Sequence, residues 1–104
     1  MTNTVAIIQA RMGSSRLPGK VLMPLGDRAV LARVIDAART IAGVDDVWVA
    51  TSDLSGDDAV ATWCAENTVD CFRGSETDVL ARFAGAAAQA DAGIVLRITA
   101  DCPF

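Results

Sequence analysis

The sequence predicts an α/β fold: an open, mainly parallel sheet with helices on both faces. Three observations carry this. Four short β-rich apolar runs alternate with three stretches whose apolar residues recur at helical spacing. The connections between them are short enough for right-handed crossovers. An apolar share of 52% against 21% charged residues supplies a core for a chain of 104 residues.

Taken in order, Val5–Gln9 is a short continuous apolar run ended by a turn-rich loop, as in a strand covered on both faces. From Ala29 to Ala42, Leu31, Val34, Ile35, Ala38 and Ile41 follow helical spacing, with Arg33, Asp36 and Arg39 opposite. Asp27 is placed to cap this helix and Gly43 to end it. Asp46–Thr51 is the second strand. The next helix takes Ser55 as its cap, Asp57 and Asp58 as first-turn acids, and Val60, Trp63 and Cys64 as its inward face.

Val69–Phe72 reads as the third strand. Ser75 and Asp78 resemble a capping box that opens a helix burying Val79, Leu80, Phe83 and Ala87. Ala84–Ala92 is alanine-dense, which suits close helix–sheet packing. Ile94–Ile98 is the fourth strand, followed by Thr99-Ala100-Asp101-Cys102-Pro103. Trp48 and Trp63 are expected in the core. In open parallel sheets ligands bind outside the carboxyl ends of the strands. Residues 10–20, Thr51–Ser55, Arg73–Ser75 and Asp101 all fall there.

Charge is distributed unevenly. Residues 1–26 carry three cations and no acid, whereas residues 27–104 carry six cations and thirteen acids. An acidic body with one local basic segment argues against nucleic-acid or anionic-membrane binding and suits a small anion. The chain has no histidine, which removes Ser-His and Cys-His catalysis and histidine metal ligation. Cys64, Cys71 and Cys102 form no Cys-x-x-Cys pair and are expected as small core residues in a reducing compartment. The N-terminus lacks a signal-peptide layout and no stretch approaches a membrane span, so a cytoplasmic location is expected.

The most informative segment is Ala10-Arg11-Met12-Gly13-Ser14-Ser15-Arg16-Leu17-Pro18-Gly19-Lys20. Arg11, Arg16 and Lys20 supply cations. Ser14 and Ser15 supply donors, and Gly13 and Gly19 permit close backbone approach to a polyphosphate. The segment is not a Walker A loop. Five residues separate Gly13 from Gly19, and Val21 stands where the metal-binding hydroxyl belongs. A Gly-x-Gly-x-x-Gly fingerprint is also absent.

Ile8-Gln9-Ala10-Arg11 through Gly19-Lys20-Val21-Leu22 resembles the signature of the cytidylyltransferases that make CMP-sugars, CMP-Kdo synthetase among them. It is most similar to the branch concerned with spore-coat polysaccharide biosynthesis. Val49-Ala50-Thr51-Ser52, Phe72-Arg73-Gly74-Ser75-Glu76-Thr77-Asp78-Val79-Leu80 and Arg97-Ile98-Thr99-Ala100-Asp101-Cys102-Pro103 extend the resemblance over essentially the whole chain, in the family's order.

The resemblance implies a Rossmann-like nucleotide-diphospho-sugar transferase fold and transfer of CMP from CTP to a sugar or sugar-acid hydroxyl, with release of pyrophosphate. It makes Arg11 and Lys20 the triphosphate cations and catalytic residues. Gly13, Ser14, Ser15 and Arg16 then belong to the phosphate site, and Arg73, Gly74 and Ser75 lie near ribose or base. Asp101 matches the aspartate of the family's Gly-Asp-Glu-Pro turn, which binds Mg2+ near the α-phosphate. Here the turn reads Ala-Asp-Cys-Pro and lacks the following acid.

A complete enzyme of this kind is roughly twice this length and is a homodimer, as the resemblance implies. Residues 1–104 are accordingly expected to be a single nucleotide-binding domain, the N-terminal part of a larger nucleotidyltransferase domain that also supplies the acceptor pocket and a second metal carboxylate. Two alternatives stay open at this point. One is a sugar nucleotidyltransferase of different base specificity. The other is a non-catalytic nucleotide-binding or assembly module.

Overall fold

The computed structural model describes residues 3–12, 22, 24–25, 28–75 and 77–99. Strand β1 (Thr4–Gln9) is central, and Val5, Ala6, Ile7 and Ile8 are all 0% exposed. Both its faces are buried, which is why the run is continuously apolar instead of alternating. A short antiparallel pair follows, β2 (Pro24–Leu25) with β3 (Arg28–Ala29), which the sequence reading did not anticipate. Gly26-Asp27 stands between them, and a Gly-Asp pair is a two-residue hairpin signal. Asp27, the expected cap of the first helix, lies outside the described residues.

Helix α1 (Val30–Arg39) buries Leu31, Val34, Ile35 and Ala38 as expected. It ends before Ala42, because Thr40 turns its hydroxyl onto the Ala37 carbonyl at 2.6 Å, and Ile41 is left exposed. Gly43, at φ +89°, sits in the turn leading to β4 (Asp46–Ser52). Helix α2 (Asp58–Glu66) starts after a 3-10 turn over Ser55–Asp57, so Ser55 is not its cap. Trp63 and Trp48 are half-buried, and the Trp48 indole donates to Asp46 at 3.0 Å.

Strand β5 (Asp70–Gly74) runs two residues beyond Phe72, which places Arg73 and Gly74 inside the sheet. Helix α3 (Val79–Gln89) takes Asp78 as its N-cap, its carboxylate accepting from the Ala81 N–H at 3.0 Å. Ser75 instead caps the cap, accepting from the Asp78 N–H at 3.1 Å. Strand β6 (Ile94–Thr99) completes the sheet.

The sheet order is β5-β4-β1-β6 and all neighbours are parallel. Successive strands step from β1 to β4 to β5, and β6 then returns to the other side of β1. That reversal is a topological switch point, the place where such sheets bind ligands. Gln9 lies in register with Thr99, so the connections leaving β1 and β6 depart from neighbouring strands at one level.

One core cluster joins Ala6, Ile8, Val47 and Val49 of the sheet to α1 and α2 through Leu31, Val34, Ile35, Val60 and Cys64. The other joins Val5, Ile7 and Ala50 to Phe83 and Ala86 of α3. Helices thus cover both faces, as the sequence predicts. Each fully buried aliphatic side chain contributes about 1.5–3 kcal/mol. The alanine-dense helix packs closely, as expected: a methyl group on Gly85 would meet the Phe72 ring, with Cε2 at 2.6 Å.

Leu80 does not join that buried face; it is 68% exposed, and Arg82 with Phe83 points inward instead. Arg82, Phe83 and Ala86 are buried and Ala87 packs partly buried against the same cluster, as expected, so a charged residue occupies part of the apolar stripe; the Val79 side chain lies outside the described residues. Cys64 is buried and Cys71 half-buried, both as free thiols packed in or against the first cluster. Hydrogen bonding with Cys71 and burial push the Cys64 thiol up, and Cys64 is a fully buried core residue. Cys102 lies outside the described residues.

Candidate functional site

The polar residues of interest gather at the carboxyl ends of β1, β4 and β5. Where β1 ends, the Ala10 N–H still bonds to the Ala50 carbonyl at 3.0 Å, so the ladder holds up to the residue before Arg11. Arg11 and Met12 then meet Asp57. The Met12 N–H donates to Asp57 Oδ1 at 2.7 Å, and Arg11 Nε faces Asp57 Oδ2 at 3.4 Å. Ser52, the last residue of β4, donates its hydroxyl to the same Oδ2. The Leu54 N–H in turn donates to Ser52 Oγ at 3.3 Å.

Asp57 is 3% exposed. Burial alone would push its carboxyl up. The Ser52 hydroxyl, the Met12 N–H and the Arg11 guanidinium outweigh that and hold it below the ordinary aspartate range. Asp57 therefore remains ionised inside the protein. Its carboxylate makes no capping bond to α2, although it stands at the N-cap position. The backbone there runs through the 3-10 turn, and the side chain faces β1 and β4 instead.

Arg73 braces the same segment from β5. Its Nε donates to the Ser52 carbonyl at 2.9 Å and its Nη2 to the Leu54 carbonyl at 2.8 Å. Nη2 also pairs with the exposed Asp58 carboxylate at 2.8 Å. Gly74 has a packing reason to lack a side chain, since a Cβ would lie 2.9 Å from Phe72 Cε2 and 3.1 Å from Arg82 Cγ. The Ser75 carbonyl accepts from Nη1 of the fully buried Arg82 at 2.8 Å.

The structure thus brings Arg11 together with Ser52, Leu54 and Asp57, and joins Arg73 to that group through Ser52. Gly13, Ser14, Ser15, Arg16, Lys20 and Asp101 lie outside the described residues. Among the described residues no cluster of three or more His, Cys, Asp or Glu is arranged to hold a metal ion. A hollow lined by Arg39, Val44, Asp45, Asp46 and Val47 lies at the amino end of β4, the opposite edge. Also among the described residues, no helix is long and apolar enough to cross a membrane.

Sequence reasoning missed Asp57 and Arg82 as site-building residues. Asp57 reads as an ordinary first-turn acid because Asp58 beside it does the same. For Arg82 a signal existed: an arginine directly beside Phe83, within the inward stripe of an otherwise alanine-rich helix.

The open parallel sheet and its switch point between β1 and β6 define an α/β protein of the class that binds ligands at the carboxyl edge of its strands. The family model described as cytidylyltransferase matches residues 5–104. The spore coat polysaccharide biosynthesis protein SpsF of Bacillus subtilis is 41% identical over 108 residues, covering 100% of this chain and 45% of that protein. A solved cytidylyltransferase of Leptospira borgpetersenii superposes with a TM-score of 0.88 at 36% identity, covering 99% of this chain and 43% of that one. CMP:2-keto-3-deoxy-manno-octonic acid synthetase, solved in complex with CTP, gives a TM-score of 0.74 at 29% identity, over 95% of this chain and 40% of that one. The chain belongs to the cytidylyltransferase family. It spans less than half the length of these relatives.

Proposed function

We propose that residues 1–104 form the CTP-binding part of a nucleotidyltransferase that moves CMP from CTP to a sugar or sugar-acid hydroxyl and releases pyrophosphate. The product class is an activated precursor for surface polysaccharide or glycoconjugate. The observation that carries this reading is the placement of Arg11. It leaves the central strand at the switch point, beside the end of β6, and its Nε faces a buried carboxylate at 3.4 Å.

In such a transfer the acceptor oxygen attacks the α-phosphorus as the bond to pyrophosphate breaks. The protein's share is positioning and charge stabilisation. Arg11 and Lys20 neutralise the β- and γ-phosphates, with Arg16 beside them. Ser14 and Ser15 donate to phosphate oxygens, and Gly13 lets the backbone come close. Arg73 holds the β4 end in place through the Ser52 and Leu54 carbonyls. Gly74 and Ser75 continue that wall toward ribose or base.

Asp101 would supply the hard carboxylate oxygen that suits Mg2+. When bound there, the ion would offset charge at the α-phosphate. The complete enzyme is proposed to act in the cytoplasm as a homodimer; the free thiols Cys64 and Cys71 accord with a reducing compartment.

Calorimetry with CTP, UTP, GTP and ATP, each with and without Mg2+, tests the reading. CTP is expected to bind most tightly, and more tightly with Mg2+. Equal weak binding of all four would overturn the cytidine assignment. Absence of nucleotide binding by a folded protein would leave only the role of a non-catalytic module.

A further inference from the structure

We propose that Asp57 is a positioning residue for the phosphate-binding segment: it acts through Arg11 and Met12 and does not touch the nucleotide. The inference rests on the reading that Arg11 contacts the triphosphate. Three chain segments meet at this one carboxylate: the β1 exit through Met12 N–H and Arg11 Nε, the β4 end through Ser52 Oγ, and the start of α2 through Asp57 itself. In sequence, Asp57 lies 45 residues from Met12 and 46 from Arg11.

The chemistry of the junction argues for more than a tether. A neutral asparagine could accept from Met12 N–H, and a loop contact alone needs no charge. Burying an ionised carboxylate carries a desolvation cost, offset here by one N–H, one hydroxyl and one guanidinium. What the charge adds is a fixed direction for Arg11. Contact through Nε, the nitrogen next to the aliphatic stem, helps orient the planar group. A guanidinium aimed in advance loses less freedom when it grips phosphate. Ser52 completes the device, because its Oγ both donates to Asp57 and accepts from Leu54 N–H, so the carboxylate is itself oriented. Arg73 holds the carbonyls of the same two residues, Ser52 and Leu54, from the other side.

The alternative is that Asp57 serves only folding. The opposing electrostatic effect is also definite: a negative charge near a phosphate site repels anions, so its removal without loss of geometry would tighten binding. These differ in sign. The test uses the protein as expressed from its own gene, titrated with Mg-CTP and with CMP, for wild type, Asp57→Asn, Arg11→Ala and the double variant, with thermal melts of each. Asp57→Asn is expected to weaken CTP about tenfold, as loss of a partner that orients a binding group does. CMP binding should stay nearly unchanged, and in the Arg11→Ala background Asp57→Asn should add little.

Equal weakening of CTP and CMP, full additivity with Arg11→Ala, or tighter CTP binding would each overturn the proposal. If Arg11→Ala leaves CTP affinity intact, the Arg11 assignment fails and the positioning role with it. If Arg11→Ala weakens CTP while Asp57→Asn does not, only the positioning role fails. Should Asp57→Asn not fold, Ser52→Ala keeps the charge but removes one of its orienting donors. The same selective loss for CTP is then expected at about threefold, and its absence overturns the proposal.

Discussion

The β1 exit and the β5 exit both present an arginine at the carboxyl edge, yet the two are held in different ways. Arg11 is tied to a carboxylate that is 4% exposed at the side chain, and the charge survives burial because it collects several donors. Arg73 is tied mainly to backbone carbonyls, and its acidic partner Asp58 is 63% exposed at the side chain. The contrast teaches which arginine depends on charge. At Arg11 the orientation is electrostatic and buried. At Arg73 it is a matter of hydrogen-bond geometry, with the ion pair open to solvent and salt.

The largest effect that can break this contrast is Asp57→Ala. It removes the buried charge itself, leaving Met12 N–H and Ser52 Oγ short of an acceptor, and should cost about 3 kcal/mol in denaturant unfolding. A loss near that of an exposed residue would erase the distinction. Next is Gly74→Ala on the β5 side, where a methyl group presses on Phe72 and Arg82. Overpacking of this kind costs roughly 1–3 kcal/mol, visible as a lowered midpoint with the denaturant slope unchanged. Smallest is Asp58→Ala, expected within about 0.5 kcal/mol and vanishing as salt rises. If Asp58→Ala proved as costly as Asp57→Ala, the arginines would not be held by different physics.

Acid sharpens the same comparison. The Asp57 carboxyl is held below its ordinary value of 3.8, so the stability it contributes is fully present above that pH. It is lost as pH falls through the lower folded-state value. The stability gap between wild type and Asp57→Asn should therefore be flat through neutral and mildly acidic pH. Below about 3.8 it should close, as paired acid-denaturation curves would show.

Much of the fold was legible because its main signals are local. The unbroken apolar run Val5–Ile8 marks a strand buried on both faces, and the spacing of Leu31, Val34, Ile35 and Ala38 marks one helix face. Where reading failed, a non-local partner decided the outcome. Ser55 looks like a helix cap, but a 3-10 turn intervenes, and the carboxylate that follows is drawn to residues more than forty positions earlier. Leu80 has the right spacing for burial and is nevertheless exposed, because Arg82 takes the inward position and reaches the Ser75 carbonyl.

Helix ends show a related limit. Thr68 and Asp91 adopt positive φ where glycine would be expected. The Val69 and Ala92 N–H groups reach back to the Cys64 and Ala87 carbonyls at 2.8 and 2.9 Å, so both helices close with a Schellman pattern. The candidate site is legible as a composition, an acid-free cationic segment after β1, of which Ala10, Arg11 and Met12 lie among the described residues. Its supporting shell was not, because Asp57 and Asp58 are indistinguishable until the fold buries one and exposes the other.

The most direct test of the central claim, that the segment after β1 grips a triphosphate, is the affinity of Lys20→Ala for CTP set against its affinity for CMP. Loss of a charge-assisted contact to the terminal phosphates should weaken CTP by about tenfold to a hundredfold while CMP changes little. Equal weakening of both ligands would contradict the claim and take Lys20 off the β- and γ-phosphates.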